Sequence, residues 1–145
     1  MGQQQLLLIV LSVIIVGVAI AVGVTQFRSS AVDSNRQAVI GDLVNLAAKA
    51  QRYFRTPVQL GGGGQNFDGF VLSTVENQNA NGNYDVVTTT PGDNSAITPG
   101  TTPISGSAGS IIIVGSGTET GNVGTDPVKV YVTVTPDAIA TTIMN

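Results

Sequence analysis

The nineteen-residue stretch 6–24, LLLIVLSVIIVGVAIAVGV, decides the fold class of this chain. We call it the apolar segment; only Ser12, Gly17 and Gly23 interrupt it, and no residue in it is charged. As an α-helix rising about 1.5 Å per residue, it extends roughly 28 Å, close to the hydrocarbon thickness of a bilayer. We therefore predict a helix that can lie in a membrane.

Two other interpretations of the apolar segment are a secretory signal peptide and a plain membrane anchor. A signal peptide has basic residues before an apolar core of about 7–15 residues, whereas here no Lys or Arg precedes a longer segment. A plain anchor would leave the rest of the chain in the cytoplasm, because Arg28 and Arg36 follow the segment. A domain rich in Thr, Gly and Asn is instead typical of an exterior surface. A basic leader removed ahead of Met1 would reconcile the two, so we expect a processed chain.

Beyond the apolar segment the helical pattern continues to Arg55. Apolar residues recur at three- and four-residue steps, which predicts an amphipathic helix, and Pro57 is the first proline after it. We expect one helix over residues 1–55, with a hydrophobic half at 1–27 and an amphipathic half at 28–55. Two glycines weaken the first half, so any irregularity should be confined to residues 17–23.

Residues 56–145 predict a small β-rich domain. Strand candidates are residues 67–76, 84–90, 110–114 and 128–135, and the asparagine-rich segment 77–83 predicts a hairpin turn. Residues 128–135 alternate valine with Lys129, Tyr131 and Thr, which predicts a half-buried strand whose valines pack on the helix. The run of four glycines at 61–64 predicts a flexible loop. The expected class is α+β: one long N-terminal α-helix with a small C-terminal antiparallel β-sheet domain.

Composition excludes most catalytic classes. The 145 residues include no Cys and no His, so zinc sites, thiol chemistry and Ser-His-Asp triads are ruled out. We expect no catalytic residues, no cofactor, no metal site and no enzymatic activity. The net charge is −3, and no strongly basic surface exists. Nucleic acid is therefore not expected as the main ligand.

Two polar segments have alternative interpretations. The oxygen-bearing residues Glu76, Asn79, Asn81, Asn83 and Asp85 suit a hard cation such as Ca²⁺, but they lack the spacing of an EF-hand. Asparagines also serve hairpin turns, which is the simpler interpretation. The Thr-, Ser-, Gly- and Pro-rich residues 88–110 predict a surface loop, with O-linked glycosylation as the alternative.

The N-terminal sequence MGQQQLLLIV, with the unbroken helix behind it, resembles the mature N-terminus of type IV pilins. The resemblance covers residues 1–55 in pattern and the β-domain in architecture only. It implies that a prepilin peptidase removes a short basic leader and that Met1 becomes the N-methylated first residue. The chain departs from the family at Gln5, where glutamate is usual, and at Val22, near which proline is usual. It also lacks the C-terminal disulfide of many members.

The resemblance implies a structural subunit that polymerises into an extracellular type IV pilus-like filament, a fimbrium used in adhesion, colonisation or motility. Its partners would be identical subunits, the pilus assembly machinery and, before assembly, the inner (cytoplasmic) membrane. The apolar segment must be buried once it leaves lipid, and head-to-tail contacts between copies produce a helical filament. The alternatives are a type II secretion pseudopilin and a membrane-anchored binding domain that does not polymerise.

Three groups of site residues follow from this interpretation. For the filament core we expect Leu6, Leu7, Ile9, Val10, Val13, Ile14, Val16, Ile20, Val24 and Phe27. For packing between the helix and the β-domain we expect Val39, Leu43, Leu46, Val130 and Val132. Gln3, Gln4 and Gln5 should provide neutral polar contacts, so that the Met1 amine meets amide or backbone oxygens rather than a carboxylate.

Overall fold

The computed structural model describes residues 2–106 and 109–145. A single helix, α1 (Gly2–Arg55), is followed by a 3₁₀ turn at Val58–Leu60. Four strands come next, namely β1 (Gly82–Val87), β2 (Ile111–Thr120), β3 (Pro127–Val134) and β4 (Ile139–Ile143). They form one antiparallel sheet in the order β1-β2-β3-β4. The predicted α+β class is confirmed.

The helix α1 is continuous through the glycines at 17 and 23. Each glycine costs about 1 kcal/mol relative to alanine in a helix interior. A peptide group left without a partner in an apolar surrounding costs several kcal/mol. Because the second cost is larger, the backbone keeps its helical hydrogen bonds across the weak segment.

The run of four glycines folds back over the end of α1. The Gly63 amide donates to the Tyr53 carbonyl at 2.8 Å, and the Gln65 amide donates to the Phe54 carbonyl at 2.7 Å. Gly64 and Gln65 have φ values of 59° and 67°, the left-handed conformation that ends helices. The segment is a loop, as predicted, and its amides also cap helix carbonyls that would otherwise lack a partner.

One face of the sheet packs on α1 and forms the core. Gly115 of β2 allows the closest approach, because a Cβ atom there would lie 2.8 Å from Val39 Cγ1. The inward residues of β3 alternate as predicted and are fully buried. The core residues that the helix and sheet contribute include Val32, Val39, Leu43, Leu46, Ala47, Ala50, Tyr84, Val86, Ile111, Ile113, Val128, Val130, Val132 and Val134.

The opposite face of the sheet is covered in part, so β3 is more buried than expected at Lys129, while Tyr131 and Thr133 stay partly exposed as expected of a half-buried strand. Residues 88–106, which we call the outer loop, cross this face. Lys129 is only 2% exposed there, and its Nζ donates to the carbonyls of Asp93 at 2.9 Å and Ser95 at 3.0 Å. Ile112, Val114 and Ser116 of β2 are buried on the same face. The sheet is therefore the middle layer of three: helix, sheet and loop.

Two strand predictions and the hairpin prediction need correction. Residues 67–76 form turns and irregular chain, and their Phe67 and Phe70 rings pack on Phe54 and Tyr53 with centroids 4.8 and 5.4 Å apart. Their apolar spacing serves contacts with the helix end, not a ladder. The predicted hairpin at 77–83 is reduced to an isolated bridge between Gln78 and Asn83, because β1 pairs with β2 instead. The strand predicted at 110–114 continues to Thr120, and β4 was not predicted.

Candidate functional site

The apolar segment is bare in the single chain. Its large side chains are 54–70% exposed, and none of its most apolar window is buried within the chain. In the part of the chain that the structure describes, α1 is long and apolar enough to cross a membrane. A helix whose consecutive residues are all apolar offers no polar face. The exposure of the apolar segment is therefore consistent with membrane anchoring.

The residues expected in the filament core lie on this bare surface. Leu6, Leu7, Ile9, Val10, Val13, Ile14, Val16, Ile20 and Val24 are all exposed on α1. Phe27 extends the surface by one turn and is 81% exposed, so it does not pack on the β-domain of its own chain. Gln3, Gln4 and Gln5 are exposed in the first turns of α1. Met1, expected to be N-methylated, lies outside the described residues, and its amine contacts stay a prediction.

The residues expected between helix and sheet come together. Val39 and Leu43 on α1 are fully buried, as are Val130 and Val132 on β3. Leu46 belongs to the same cluster. This cluster fixes the β-domain to the second half of α1. The β-domain and the apolar segment are thus joined through one continuous helix, α1.

A polar site that the sequence did not predict lies at Asp42 on α1. One oxygen of its carboxylate, Oδ2, accepts three hydrogen bonds: from Tyr84 Oη at 2.6 Å, Asn79 Nδ2 at 2.8 Å and Asn81 Nδ2 at 2.8 Å. The Asp42 carboxylate therefore ties both the asparagine-rich turn and the start of β1 to the helix.

The electrostatics of this site follow from the bonds. Burial raises the pKa of Asp42, but the hydrogen bonds from Asn81, Tyr84 and Asn79 together lower it more, and the net pKa lies below the ordinary value. The pKa of Tyr84 is raised by burial and by the adjacent carboxylate. The pair is consequently a charged acceptor and a neutral donor at neutral pH, which is a structural arrangement.

The residues considered for Ca²⁺ do not converge on one point. Glu76 pairs with Lys49 of α1, and that hydrogen bond is the main reason why the pKa of Glu76 is lowered. Asn79 and Asn81 donate to Asp42. Asp85, whose pKa is raised by burial, lies on the opposite face of β1, beneath Gly100 of the outer loop. Within residues 2–106 and 109–145, no three His, Cys, Asp or Glu side chains are grouped so as to hold a metal ion.

Side chains of the sheet, and one just before β1, hold the outer loop through hydrogen bonds to its backbone. Ser116 Oγ accepts from the Ile97 amide at 3.3 Å, and Asn83 Nδ2 donates to the Ile97 carbonyl at 3.3 Å. Asn77 Nδ2 donates to the Gly100 carbonyl at 3.2 Å. Together with the two carbonyls held by Lys129, these contacts fix the path of the loop across the sheet. Ser107 and Ala108 of the Thr/Ser-rich stretch lie outside the described residues, and its glycosylation stays a prediction.

Asn145 ties the β2–β3 loop to the end of β4. Its Nδ2 donates to the carbonyls of Val123, Asp126 and Pro127 at 3.2–3.3 Å, and its Oδ1 accepts from the Val123 amide at 2.7 Å. Arg36 of α1 donates to the Asn145 carbonyl at 3.4 Å. The loop is thereby held next to the helix.

Sequence reasoning missed these polar ties for a common reason. Their partners lie at least 14 residues away in the chain, and most are main-chain carbonyls and amides, so the contacts leave no spacing in the sequence. The signal that could have found Asp42 is its place at the edge of the apolar face of α1, next to Leu43. A carboxylate at such an edge requires donors from the element packed against it.

The shape of the chain is pilin-like, but comparison with known proteins identifies no relative. One long, apolar N-terminal helix joined to a small antiparallel sheet is a pilin-like shape. No family model, no curated protein and no solved structure matches the chain.

Proposed function

We propose that this protein is a structural subunit that polymerises into an extracellular type IV pilus-like filament, with no enzymatic activity. The single observation that supports the proposal is the bare apolar segment on a helix shared with the β-domain. Fourteen large apolar side chains of that segment are more than half exposed. Such side chains are worth about 1.5–3 kcal/mol each when fully buried. The segment therefore needs a burial partner along its whole length.

Two partners satisfy that need at different stages. Before assembly a bilayer accepts the segment, because α1 satisfies its own backbone hydrogen bonds. After assembly the same surface packs on copies of itself in the filament core, with the β-domains outside. Each copy then contacts the copy before it and the copy after it through different surfaces. Contacts of this kind need not close into a ring, so the assembly extends as a filament. A prepilin peptidase and an assembly machinery in the inner membrane are the partners that this pathway requires. Adhesion, colonisation and motility are the roles that such a filament would serve.

The competing functions differ in what they do with the filament. A type II secretion pseudopilin would assemble only a short filament that stays in the periplasm. A membrane-anchored binding domain would remain monomeric in detergent and form none. Filaments sheared from cells, imaged in negative stain and identified by mass spectrometry as this chain, support the pilus proposal. Absence of the chain from sheared material, together with a monomer in detergent, would exclude it.

A matched pair of variants tests the bundle itself. Val13→Asp places an unpaired charge in a closed apolar core and should abolish filaments, because burying such a charge costs several kcal/mol. Thr101→Asp introduces the same group on the exposed outer loop and should leave filament yield unchanged. Flotation of membranes should show the Val13→Asp chain still inserted, since loss of insertion would by itself explain loss of filaments. Normal filaments from Val13→Asp would refute the bundle.

A further inference from the structure

A cleft of about 360 Å³ lies where α1 leaves the apolar segment and meets the β2–β3 loop. Its helical wall consists of residues at three- and four-residue steps, and therefore of one helix face. Its other wall is the glycine-containing loop. The lining residues are Thr25, Arg28, Ser29 and Val32 of α1, with Gly121, Asn122 and Gly124 of the loop.

The continuity of α1 fixes this cleft relative to a membrane. The apolar segment ends at Val24, and Arg28 follows four residues later, about 6 Å along the axis. Val32, the first buried residue of the domain core, lies about 12 Å beyond the segment. With no break in α1 between Gly2 and Arg55, the cleft is held at the level of the lipid headgroups whenever the segment spans a bilayer.

The chemistry of the cleft suits a phosphate. Arg28 is exposed, and the ion pairs found among residues 2–106 and 109–145 use Arg36, Lys49 and Lys129 instead. Arg28, which lines the cleft, thus forms no ion pair with a carboxylate of the described residues. A planar guanidinium binds phosphate oxygens in bidentate fashion. The Ser29 hydroxyl, one residue on, adds a second donor in the same wall.

Two exposed apolar side chains are next to lining residues of the cleft in the sequence. Phe27 is 81% exposed on α1, and Val123 is 60% exposed between two lining residues of the loop. Asn145 holds the Val123 backbone through both its amide and its carbonyl, so the loop presents this side chain in a fixed position. A cleft that has a cation in its wall and exposed apolar residues adjacent to it in the sequence matches the boundary between headgroup and acyl chain.

We propose that this cleft binds the phosphate of an anionic phospholipid headgroup, with Arg28 on the phosphate and Phe27 and Val123 against the acyl-chain boundary. The proposal rests on the membrane-inserted stage of the proposed function, and it does not require filament assembly. The bound lipid would orient the β-domain on the membrane surface before the subunit is withdrawn.

The test uses the full chain in micelles of a neutral maltoside detergent, with phosphatidylglycerol as the probe. Native mass spectrometry measures the lipid concentration at which half of the chains carry one phospholipid. Arg28→Gln should weaken binding about fivefold, the ratio that corresponds to about 1 kcal/mol for a basic residue at an anionic surface. Arg52→Gln is the matched control, because Arg52 is exposed on the same helix about 36 Å away. It should bind as the unchanged chain does, and Val123→Ser should bind more weakly.

Several results would overturn the proposal. Equal binding by the unchanged chain and Arg28→Gln would show that the guanidinium does not hold the lipid. Equal losses in Arg28→Gln and Arg52→Gln would show only a diffuse charge effect. Inorganic phosphate that displaces the lipid at millimolar concentration would identify a free-anion site instead. Protection of the 121–125 amides from hydrogen exchange in filaments but not in phosphatidylglycerol vesicles would assign the cleft to a second copy.

Lipid binding, filament formation and insertion into vesicles, each measured on the unchanged chain, together separate this proposal from the filament proposal. If the unchanged chain forms filaments but binds no phosphatidylglycerol, only the lipid site is wrong. If the chain fails to enter vesicles at all, both proposals are wrong.

Discussion

The contact between Gly115 and Val39 sets the distance between helix and sheet, and a pair of substitutions should measure it. Gly115→Ala would place a Cβ atom 2.8 Å from Val39 Cγ1 and 3.1 Å from the Tyr84 ring. Carbon atoms prefer separations of about 3.5–4.0 Å. Overpacking of this kind costs about 1–3 kcal/mol of unfolding free energy.

The compensating change is Val39→Ala, which removes the methyl group that the new Cβ would meet. Val39 is fully buried, so deleting two methyl groups costs about 1.6 kcal/mol in transfer alone, and about 2–3 kcal/mol with the residual cavity. In the double variant the added Cβ occupies part of that cavity. We expect the double variant to lose about 1–2 kcal/mol less than the sum of the two single losses.

The assay is urea unfolding of the full chain in neutral detergent micelles, followed by tyrosine fluorescence, because the chain has three Tyr and no Trp. Gly41→Ala is the control for the substitution itself, since a Cβ there meets nothing within 4 Å. It should stabilise the helix by about 0.5–1 kcal/mol. If the two single losses add to within about 0.5 kcal/mol, the close approach does not limit helix–sheet packing and the reasoning is refuted.

Three further predictions concern separate features. Asp42→Asn should lower the free energy of unfolding by about 1–3 kcal/mol. The pKa of Asp42 in the folded chain lies below its ordinary value of 3.8. The stabilisation that the carboxylate provides is therefore fully present above pH 3.8 and is lost as the pH falls through the folded pKa. A urea series across acidic pH should therefore show a shallower acid loss in the variant, and an unchanged slope would contradict this. Lys129→Ala should release the outer loop, seen as faster hydrogen exchange over residues 93–97 with β3 still protected; unchanged exchange there would mean that Lys129 does not anchor the loop. In assembled filaments α1 should stay helical, and four or more non-helical residues between 16 and 24 in a filament map would show that glycine alone melts it.

The sequence predicts the parts of this fold that periodicity governs. Nothing in residues 6–55 is a proline, and apolar residues are either contiguous or spaced by a helical repeat, so α1 could be predicted to within a few residues of its observed ends. The alternating valines of β3 likewise predict both the strand and the face that meets the helix.

The second face of the sheet could not be predicted in this way. Lys129 stands at an outward position of β3, where a lysine normally reaches water. Its burial depends on carbonyls 34 and 36 residues earlier in the chain, contributed by a segment with no regular structure. The short strand β4 could not be predicted for another reason, because its residues do not alternate clearly between buried and exposed positions.

The cleft at Arg28 could be predicted only in part from the sequence. An arginine just after an apolar segment is visible in the sequence, but the opposing wall comes from residues 121–124. Only the fold brings that loop beside the helix, because Asn145 and Arg36 hold it there.

The way the outer loop is anchored has a consequence for its evolution. Lys129, Ser116 and Asn83 grip carbonyls and an amide of the loop backbone, and nearly every amino acid supplies those groups. Substitutions at most positions of the loop should therefore be neutral. Three positions should resist change: Gly100, where a Cβ would collide with Asp85, the buried Ile104, and Gly106, whose φ of 76° favours glycine. A saturation library over residues 88–106 should show tolerance at the remaining positions. This lineage can thus vary the outermost chemistry of the domain without altering the framework beneath.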